Sequence, residues 1–595
     1  MNQESRVCQN CKQNFRIELE DFVFYEKIHV PPPTWCPECR MVRRMMFRNE
    51  RKLFRIKSAK SGKEILSLYP SEAGVTVYDE KEWWSDDWDA REYGREYDFS
   101  RSFFEQFLEL SKVVPRYSRD VLGMVNSDYS ANASYVKNCY LLFNSNYSED
   151  SAYGNAVDKS FFCFDNSHIA KCERCYESFW LTRCFQTHFS SQCEDCHGVW
   201  FSKNLRGCSN CFGCVNLRNK QYHIFNVPYA QEEYAKKIKS FRLDSRIELE
   251  KIRNQAKSLW HKFPNKYIEG IKNLNSSGEY VTHSKNVYHG YLVREGEDLK
   301  YVQYIQLPPS KDLMDITVGG NGMELSYEDA TSGWGKVYNL KFCAECWPDV
   351  RDMEYSMFCT SSSNLFGCVG LRKKEFCILN KQYTKEEFNN LREKIIKHMD
   401  EMPYTSEIRN SKHEIRKIIY KYGEFFPPEF SPFAYNQTIA IEHFPLTKEE
   451  VEKAGFRWQE PTRREYEITM TADKIPDSIY DIGDDILKEV IQCASCRRAY
   501  RLIHSELEFL KKEGIPAPRT CIDCRHEARI SQRNKAIFYS RRCVCGGQTS
   551  ENEMYKNTAA HFHGSSSCPN EFETSYAPKR PEIVYCEACY NAEVV

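Results

Sequence analysis

The chain has 595 residues, 41% hydrophobic and 28% charged, with a formal net charge of −1 and 28 cysteines. That length predicts several domains at a prior of roughly 150 residues each. No run of eighteen apolar residues exists, which excludes an ordinary transmembrane helix, and a net charge this close to zero names no partner. The N-terminus, MNQESRVCQNCK, has no apolar signal region, so the expected localisation is cytoplasmic. In a reducing compartment cysteine pairs point to metal before disulfides.

Residues 1–60 open with Cys8-x2-Cys11 and, after 24 intervening residues, Cys36-x2-Cys39. Two such knuckles supply the four thiolates of a closed tetrahedral zinc site. Past the last knuckle, Arg40, Arg44 and Arg48 recur every four residues, a spacing that puts them on one face of a helix. Residues 61–130 are aromatic and acidic. Trp83, Trp84, Trp88, Tyr93 and Tyr97 could form a stacking platform, but an acidic surface repels nucleic acid, which favours burial against a neighbouring domain. FSRSFFEQFLELSK predicts a short amphipathic helix.

From about residue 131 short strand-like runs alternate with turn residues: CYLLFN, FFCFDN, CYESFW, CFQTHF. Landmarks at Cys139, Phe161 and Cys184 suggest a period near 22 residues with two or three strands per turn. The expected fold is therefore β-rich and multidomain, built on two tandem parallel β-helix or solenoid-like units with helical caps. Unit one spans 131–228, followed by a helical cap and linker at 229–280. Unit two spans 281–382. FGCVNLRNKQYHIFNVPYAQEEY (212–234) returns as FGCVGLRKKEFCILNKQYTKEEF (366–388) with 12 identities in 23 positions, each copy leading into a helical stretch that closes the solenoid end. Thr384 with Glu387, and Thr447 with Glu450, form capping boxes. Residues 383–485 read as a helical and proline-rich linker.

The solenoids hold cysteine pairs too: Cys172 with Cys175, Cys193 with Cys196, Cys208-x2-Cys211-x2-Cys214 and Cys343-x2-Cys346. Cys172, Cys175, Cys193 and Cys196, one expected coil apart, could stack around a metal. They could equally be a ladder of buried thiols, and the good packing of Cys favours that reading.

Residues 486–541 repeat the first module. Cys493-x2-Cys496 is followed, again after 24 residues, by Cys521-x2-Cys524, and the two modules align without gaps: Phe24 meets Phe509, Pro31 meets Pro516, and Arg40, Arg44 and Arg48 meet Arg525, Arg529 and Arg533. Both modules resemble a small family of zinc-binding domains of zinc ribbon and treble-clef type, whose pattern is CxxC, an aromatic, a Glu-Phe-Tyr-like stretch, a proline, then CxxCR with basic residues. The resemblance implies zinc and carries no biochemical task. The second copy departs from it with LEFLKK and CIDCR.

Residues 542–595 offer Cys543, Cys545, Cys568, Cys586 and Cys589, with His561 and His563 nearby. CPNEFETSYAPKRPEIVYCEACY resembles a second treble-clef zinc finger family, with Ser565 standing where the first knuckle has its other cysteine. The fourth ligand is left open: Cys545 or Cys543, less readily His561 or His563. About three structural zinc ions are therefore expected. Taken whole, the chain resembles zinc-binding proteins of candidate-phylum bacteria through its terminal CxxC modules, the WWSDxWD segment and the closing CPNEFETSYAP…YCEACY.

Charge is segregated: residues 1–60 carry net +6, residues 493–545 net +7, and the remainder −14. Basic stripes beside zinc suit phosphate backbones, so the expected function is a non-catalytic zinc-stabilised binding protein. Its arginines would engage nucleic acid or a ribonucleoprotein. The alternatives are arginines that dock on the acidic remainder of this chain, and a protein-interaction scaffold. A third class is a solenoid enzyme acting on polysaccharide, with Asp165, Glu177 and Glu194 as aligned carboxylates. Cys184 and His188 could pair as thiol and base. No phosphate-loop, dinucleotide, HExxH or GxSxG motif occurs.

Overall fold

A computed structural model describes residues 3–305, 310–311, 316–319, 323–331, 335, 337–345, 348–409, 415–460 and 466–595. The chain divides into two units: 1–119 with 268–460 and 535–537, and 120–267 with 461–534 and 538–595. Each unit contains one solenoid. The N-terminal cysteine module belongs with the second solenoid; the second module and the C-terminal segment belong with the first.

The first solenoid is wound from a very short coil. Strand Asn155–Asp158 pairs in parallel with Ser167–Ala170, which pairs with Phe179–Thr182, then Ser191–Glu194, with partners twelve residues apart at each step. A second face stacks Phe185–His188, His197–Trp200, Ser209–Phe212 and Gln221–Ile224 in the same register. The coil is thus twelve residues, about half the period that the landmarks at Cys139, Phe161 and Cys184 suggested. Those landmarks recur at nearly two coils, which is why they resembled a single larger one.

A left-handed residue makes each corner. From Asn132 to Phe225 every third residue has φ near +50 to +70°, so a coil has four corners and four three-residue sides. Left-handed backbone costs an ordinary L-residue roughly 1–2 kcal/mol, which explains why Asn, Asp and Gly recur there: Asn138, Asp150, Asn204, Gly207, Gly213 and Asn216 all sit at corners. One residue in three then points inward, giving four internal ladders. One runs Val136, Ser148, Ser160, Cys172, Cys184, Cys196, Cys208; another runs Ala133, Ser145, Val157, Ile169, Leu181, Cys193, Leu205; all are buried.

Small residues dominate because so narrow a coil leaves space for little else, and hydroxyls dominate because corners leave backbone donors to satisfy. Ser148, Ser151 and Ser160 Oγ accept from the backbone N–H of the next rung, at Ser160, Cys163 and Cys172, at 3.0–3.2 Å. Thiols on these ladders instead donate, to carbonyls two residues back: Cys163 to the Phe161 carbonyl and Cys172 to the Ala170 carbonyl, both at 3.3 Å.

The duplicated 23-residue segment ends both solenoids by one device. Asn226 closes its coil with paired amide bonds to the backbone of Val215, at 2.8 and 2.9 Å, and Asn380 does the same to Val369, both at 2.8 Å. A hairpin follows, then a capping helix, Gln231–Ser240 or Lys385–Glu401. Equivalent aromatic pairs anchor the helices, Tyr222 on Tyr234 and Phe376 on Phe388. Both expected capping boxes form, at Thr384 and Thr447.

The acidic aromatic segment is mostly packing, with Trp84 left 51% exposed. Trp83 is fully buried and donates to the Pro115 carbonyl at 2.8 Å, Trp88 and Tyr97 are buried, and helix Phe103–Val113 lays Phe103 on Phe366 of the second solenoid. The stretch read as a linker is also folded in. It contains an antiparallel hairpin, Tyr404–Arg409 with Ile415–Tyr420, and a buried Phe433 stacked on Tyr69 at 5.3 Å. Its aromatic density outweighs its prolines. Cys346 lies outside the described residues.

The narrow core yields a stability prediction. Cys175→Leu should cost about 1–3 kcal/mol by overpacking, while Cys175→Ser should stay within about 1 kcal/mol because Ser151, two rungs earlier on the same ladder, already uses a hydroxyl. Urea midpoints of the two variants against the parent check this.

Candidate metal centres

In both duplicated modules a β-turn brings the first knuckle beneath the start of a helix. Cys36 is the N-cap of helix Pro37–Met45 and Cys521 the N-cap of Ile522–Ile530, so the second knuckle places two thiolates at a helix N-terminus, where anionic charge is favoured. The local bonds are the same in each copy. Cys36 N–H donates to Cys8 Sγ at 3.2 Å and Cys521 N–H to Cys493 Sγ at 3.2 Å. Gln9 N–H meets the Thr34 carbonyl and Ala494 N–H the Arg519 carbonyl, both at 3.0 Å.

Cys8, Cys11, Cys36 and Cys39 converge, as do Cys493, Cys496, Cys521 and Cys524. Tetrahedral coordination at ~2.3 Å puts sulfurs about 3.8 Å apart. Cys11 and Cys36 are 3.8 Å apart, Cys496 and Cys521 3.6 Å, and Cys493 and Cys524 3.9 Å. Each set could therefore hold a metal ion. At Cys496 burial pushes the thiol up, but the Arg498 guanidinium and neighbouring thiols outweigh it and bring the thiol down to about 6.

The C-terminal segment builds a third tetrad on the same plan: Cys543, Cys568, Cys586 and Cys589, all buried. Cys586 is the N-cap of helix Glu587–Val594, and its N–H donates to Cys543 Sγ at 3.2 Å. Cys568 stands 3.8 Å from Cys586 and 3.6 Å from Cys589. The hydrogen bond from Cys543 is the main cause that draws Cys586 down to about 4. The fourth position, left open by sequence, is Cys543. Cys545 instead joins His561, His563 and Cys589.

The other expected site residues are placed elsewhere. Cys172, Cys175, Cys193 and Cys196 do not converge on one point, and among the described residues no metal-holding group includes them. Their CxxC spacing is the three-residue period of inward rungs, and 21 residues is not a whole number of twelve-residue coils.

The six arginines are a correction. Arg40, Arg44, Arg48, Arg525, Arg529 and Arg533 share helical faces as expected, but those faces point inward and none is more than 7% exposed. In the first unit helix Pro37–Met45 packs on solenoid strands Ile316–Gly319 and Asp329–Ala330. Arg40 donates to the Trp35 carbonyl at 3.0 Å, Arg44 faces Thr317, and Arg48 reaches Glu50 at 2.8 Å and Thr331 at 2.7 Å.

The central contact comes from Arg43. It grips both oxygens of Glu328 at 2.6 and 2.7 Å, reaches Glu424 at 3.2 Å, and lies 4.3 Å over the Trp35 ring. In the second unit Arg525 pairs with Asp165 and with Glu506 (2.7 Å), and Arg529 with Asp165 at 3.0 Å. Both stripes meet acids of the same chain, some on the solenoids (Glu328, Asp165) and some within the module itself (Glu50, Glu506). Helix periodicity gave the shared face but not its direction. The signal that points inward is the aromatic Trp35 and Tyr500 setting around each stripe.

The candidate enzyme residues are likewise engaged. Asp165 is held by the two arginines, Glu177 by Arg253 at 2.8 Å, and Glu194 by Arg183. Asp165 and Glu177 stack at one corner, whereas Glu194 ends a strand, so they form no common row. Cys184 points into the coil and donates to the Cys193 carbonyl, while His188 lies outside it, 3.5 Å from Glu513.

The chain matches no protein-family model and no curated protein.

Arg43→Ala should destabilise the first unit by about 3–5 kcal/mol, since it strands two buried carboxylates. The double variant Arg43→Met with Glu328→Gln should recover part of that loss, and Arg55→Ala, exposed on a strand, should change little. A denaturant-unfolding cycle measures all three. Removing metal should release the modules, because binding energy of about 10–16 kcal/mol is folding energy in sites of this kind. With a strong chelator, limited proteolysis should cut within 3–60 and 491–595 while fragments of both solenoids persist.

Proposed function

We propose that this chain is a non-catalytic, zinc-stabilised binding scaffold whose partner is a protein surface. The carrying observation is the inward direction of both arginine stripes. Of the residues expected to meet phosphate, Arg525 and Arg529 are buried on Asp165 and Arg40 lies 3.9 Å from Glu328, while the neighbouring Arg43 bridges Glu328 and Glu424, so the basic modules serve as clips that fix each solenoid. Zinc suits the three tetrads because it accepts four thiolates in a closed tetrahedral shell, and such a shell leaves no position for substrate. The resemblance of the modules to zinc ribbon and treble-clef domains agrees with this assignment.

A second observation supports a protein partner. The first coils of the N-terminal solenoid expose large apolar side chains on two adjoining sides: Leu122, Val125, Tyr135, Tyr147, Phe161 and Phe162. Tyr135 and Tyr147 stack at 5.1 Å on consecutive coils. Apolar surface of this kind, interrupted by the Lys137–Glu149 pair, is the composition of an interaction face rather than of a phosphate-binding one.

Labelled single-stranded RNA and duplex DNA titrated at several salt concentrations test the choice. The scaffold reading expects weak binding with a shallow dependence of log K on log salt. A slope of several counterions, weakened by alanine at exposed lysines, would return the function to nucleic acid. In the positive arm, a photoreactive residue at position 147 should give one discrete protein adduct that Tyr135→Ala abolishes.

A further inference from the structure

Cys545, His561, His563 and Cys589 bring their ligand atoms within 4.8 Å of one another, and Cys589 also belongs to the Cys543–Cys568–Cys586 tetrad. Seven side chains thus supply two four-donor sets with one sulfur in common. Residues 546–567 between Cys545 and Cys568 hold no helix and no strand beyond two isolated bridges, Cys545 with Ser550 and Thr549 with Lys556.

Both histidines are prepared as ligands by what holds their other nitrogen. His561 Nε2 stands 2.9 Å from Glu593 Oε1, with both side chains fully buried. Glu593 also accepts from the Thr558 and Ala559 N–H groups and from the Thr558 and Tyr555 hydroxyls, so it faces His561 as an acceptor and Nε2 is the nitrogen placed to donate to it. That leaves His561 Nδ1 as a buried lone pair with no hydrogen-bond partner, which is costly unless something coordinates it. His563 Nδ1 lies 2.7 Å from the Ser566 carbonyl, which can only accept, so its Nε2 carries the free lone pair. That Nε2 is 3.3 Å from Cys589 Sγ, close to the ~3.5 Å expected of imidazole and thiolate on one tetrahedral zinc. A carboxylate or carbonyl behind each ligating imidazole is the usual outer shell of a metal site. Cys545 Sγ accepts from Asn557 Nδ2 at 3.2 Å, and Asn557 is fixed in turn by the Tyr585 hydroxyl at 2.9 Å.

We propose that the C-terminal segment holds two metal ions rather than one: the first on Cys543, Cys568, Cys586 and Cys589, the second on Cys545, His561, His563 and the same Cys589, whose sulfur bridges them. Five thiolates against two divalent ions leave a net charge of −1, well within what a buried cluster with backbone and amide donors can hold. The full chain then binds four ions, not three. The second ion is the core around which 546–567 folds.

The full chain reconstituted with 113Cd²⁺ tests this directly. Four cadmium resonances are expected, two of them split by mutual coupling through the shared sulfur. His563→Ala should remove one member of the coupled pair and collapse the other to a singlet, leaving the two module resonances unmoved. Zinc content should fall from four equivalents to three in that variant. If a variant loses both C-terminal ions by unfolding, the parent spectrum still decides. Three resonances in the parent overturn the second site, and four resonances without coupling overturn the bridge.

Discussion

A left-handed residue at every third position is the constraint on which the rest of this molecule depends. In the first solenoid it shortens each side of the coil to three residues and the coil to twelve, and it leaves one inward side chain per side. A core that narrow accepts Ser, Cys, Val, Leu and Gly but cannot bury large aromatics. The aromatics therefore face outward, where they either meet a docked element or stay exposed. Phe164 and Tyr176 of the first solenoid pack on Phe509 of the second module, and Tyr327 of the second solenoid packs on Tyr25 of the first. The cysteine modules exist in the fold as covers for those outward faces.

Those covers are held by buried guanidinium–carboxylate contacts, and such contacts are poor sources of net stability because both partners lose their hydration. What they provide here is placement. Each module could slide along a surface of repeating coils, twelve residues long in the first solenoid and thirteen or fourteen where the first module sits on the second; an apolar face alone would tolerate a slip of one coil. Asp165 is the corner acid that Arg525 and Arg529 share, and the corner one coil later carries Glu177, already held by Arg253. Arg43 finds Glu328 and Glu424 together in one place. A charge that must be met at one rung selects that rung, which is the best attested use of buried ionic groups.

Much of this was legible in the sequence, and the parts that were not share a cause. The gapless match of the two modules was enough to equate their tetrads, and the 23-residue repeat was enough to equate the solenoid ends down to Asn226 and Asn380. The coil length was missed because hydrophobic landmarks were followed, whereas this coil announces itself through corner residues: Asn204, Gly207, Asn210, Gly213, Asn216 and Asn219 fall at every third position. The same period explains why Cys208-x2-Cys211-x2-Cys214 imitates a metal motif. The arginine stripes were visible as stripes, but a period of four residues says that side chains share a face and nothing about what the face meets. The −14 charge of the rest of the chain was the evidence that pointed to an internal partner.

Metal and docking are coupled through a single short helix in each module. Cys36 and Cys521 begin the helices whose next turns carry Arg40 with Arg43 and Arg44, and Arg525 with Arg529. Nine residues are too few for a helix to persist alone in water, so the tetrad at its first turn and the solenoid beneath it must both be present. Coordination fixes where the helix starts, and each later residue is then set by 1.5 Å of rise and 100° of turn. An arginine four residues on is thereby aimed at a fixed point on the solenoid, as Arg525 is at Asp165. Without the ion the guanidinium groups would reach the same acids only by ordering a free chain, at a cost of about 1–2 kcal/mol per residue fixed. A metal held by the tetrad would therefore act on the solenoid at a distance. Without touching the coil, it would determine whether the residues that cover the coil arrive as a rigid face or as a flexible strand.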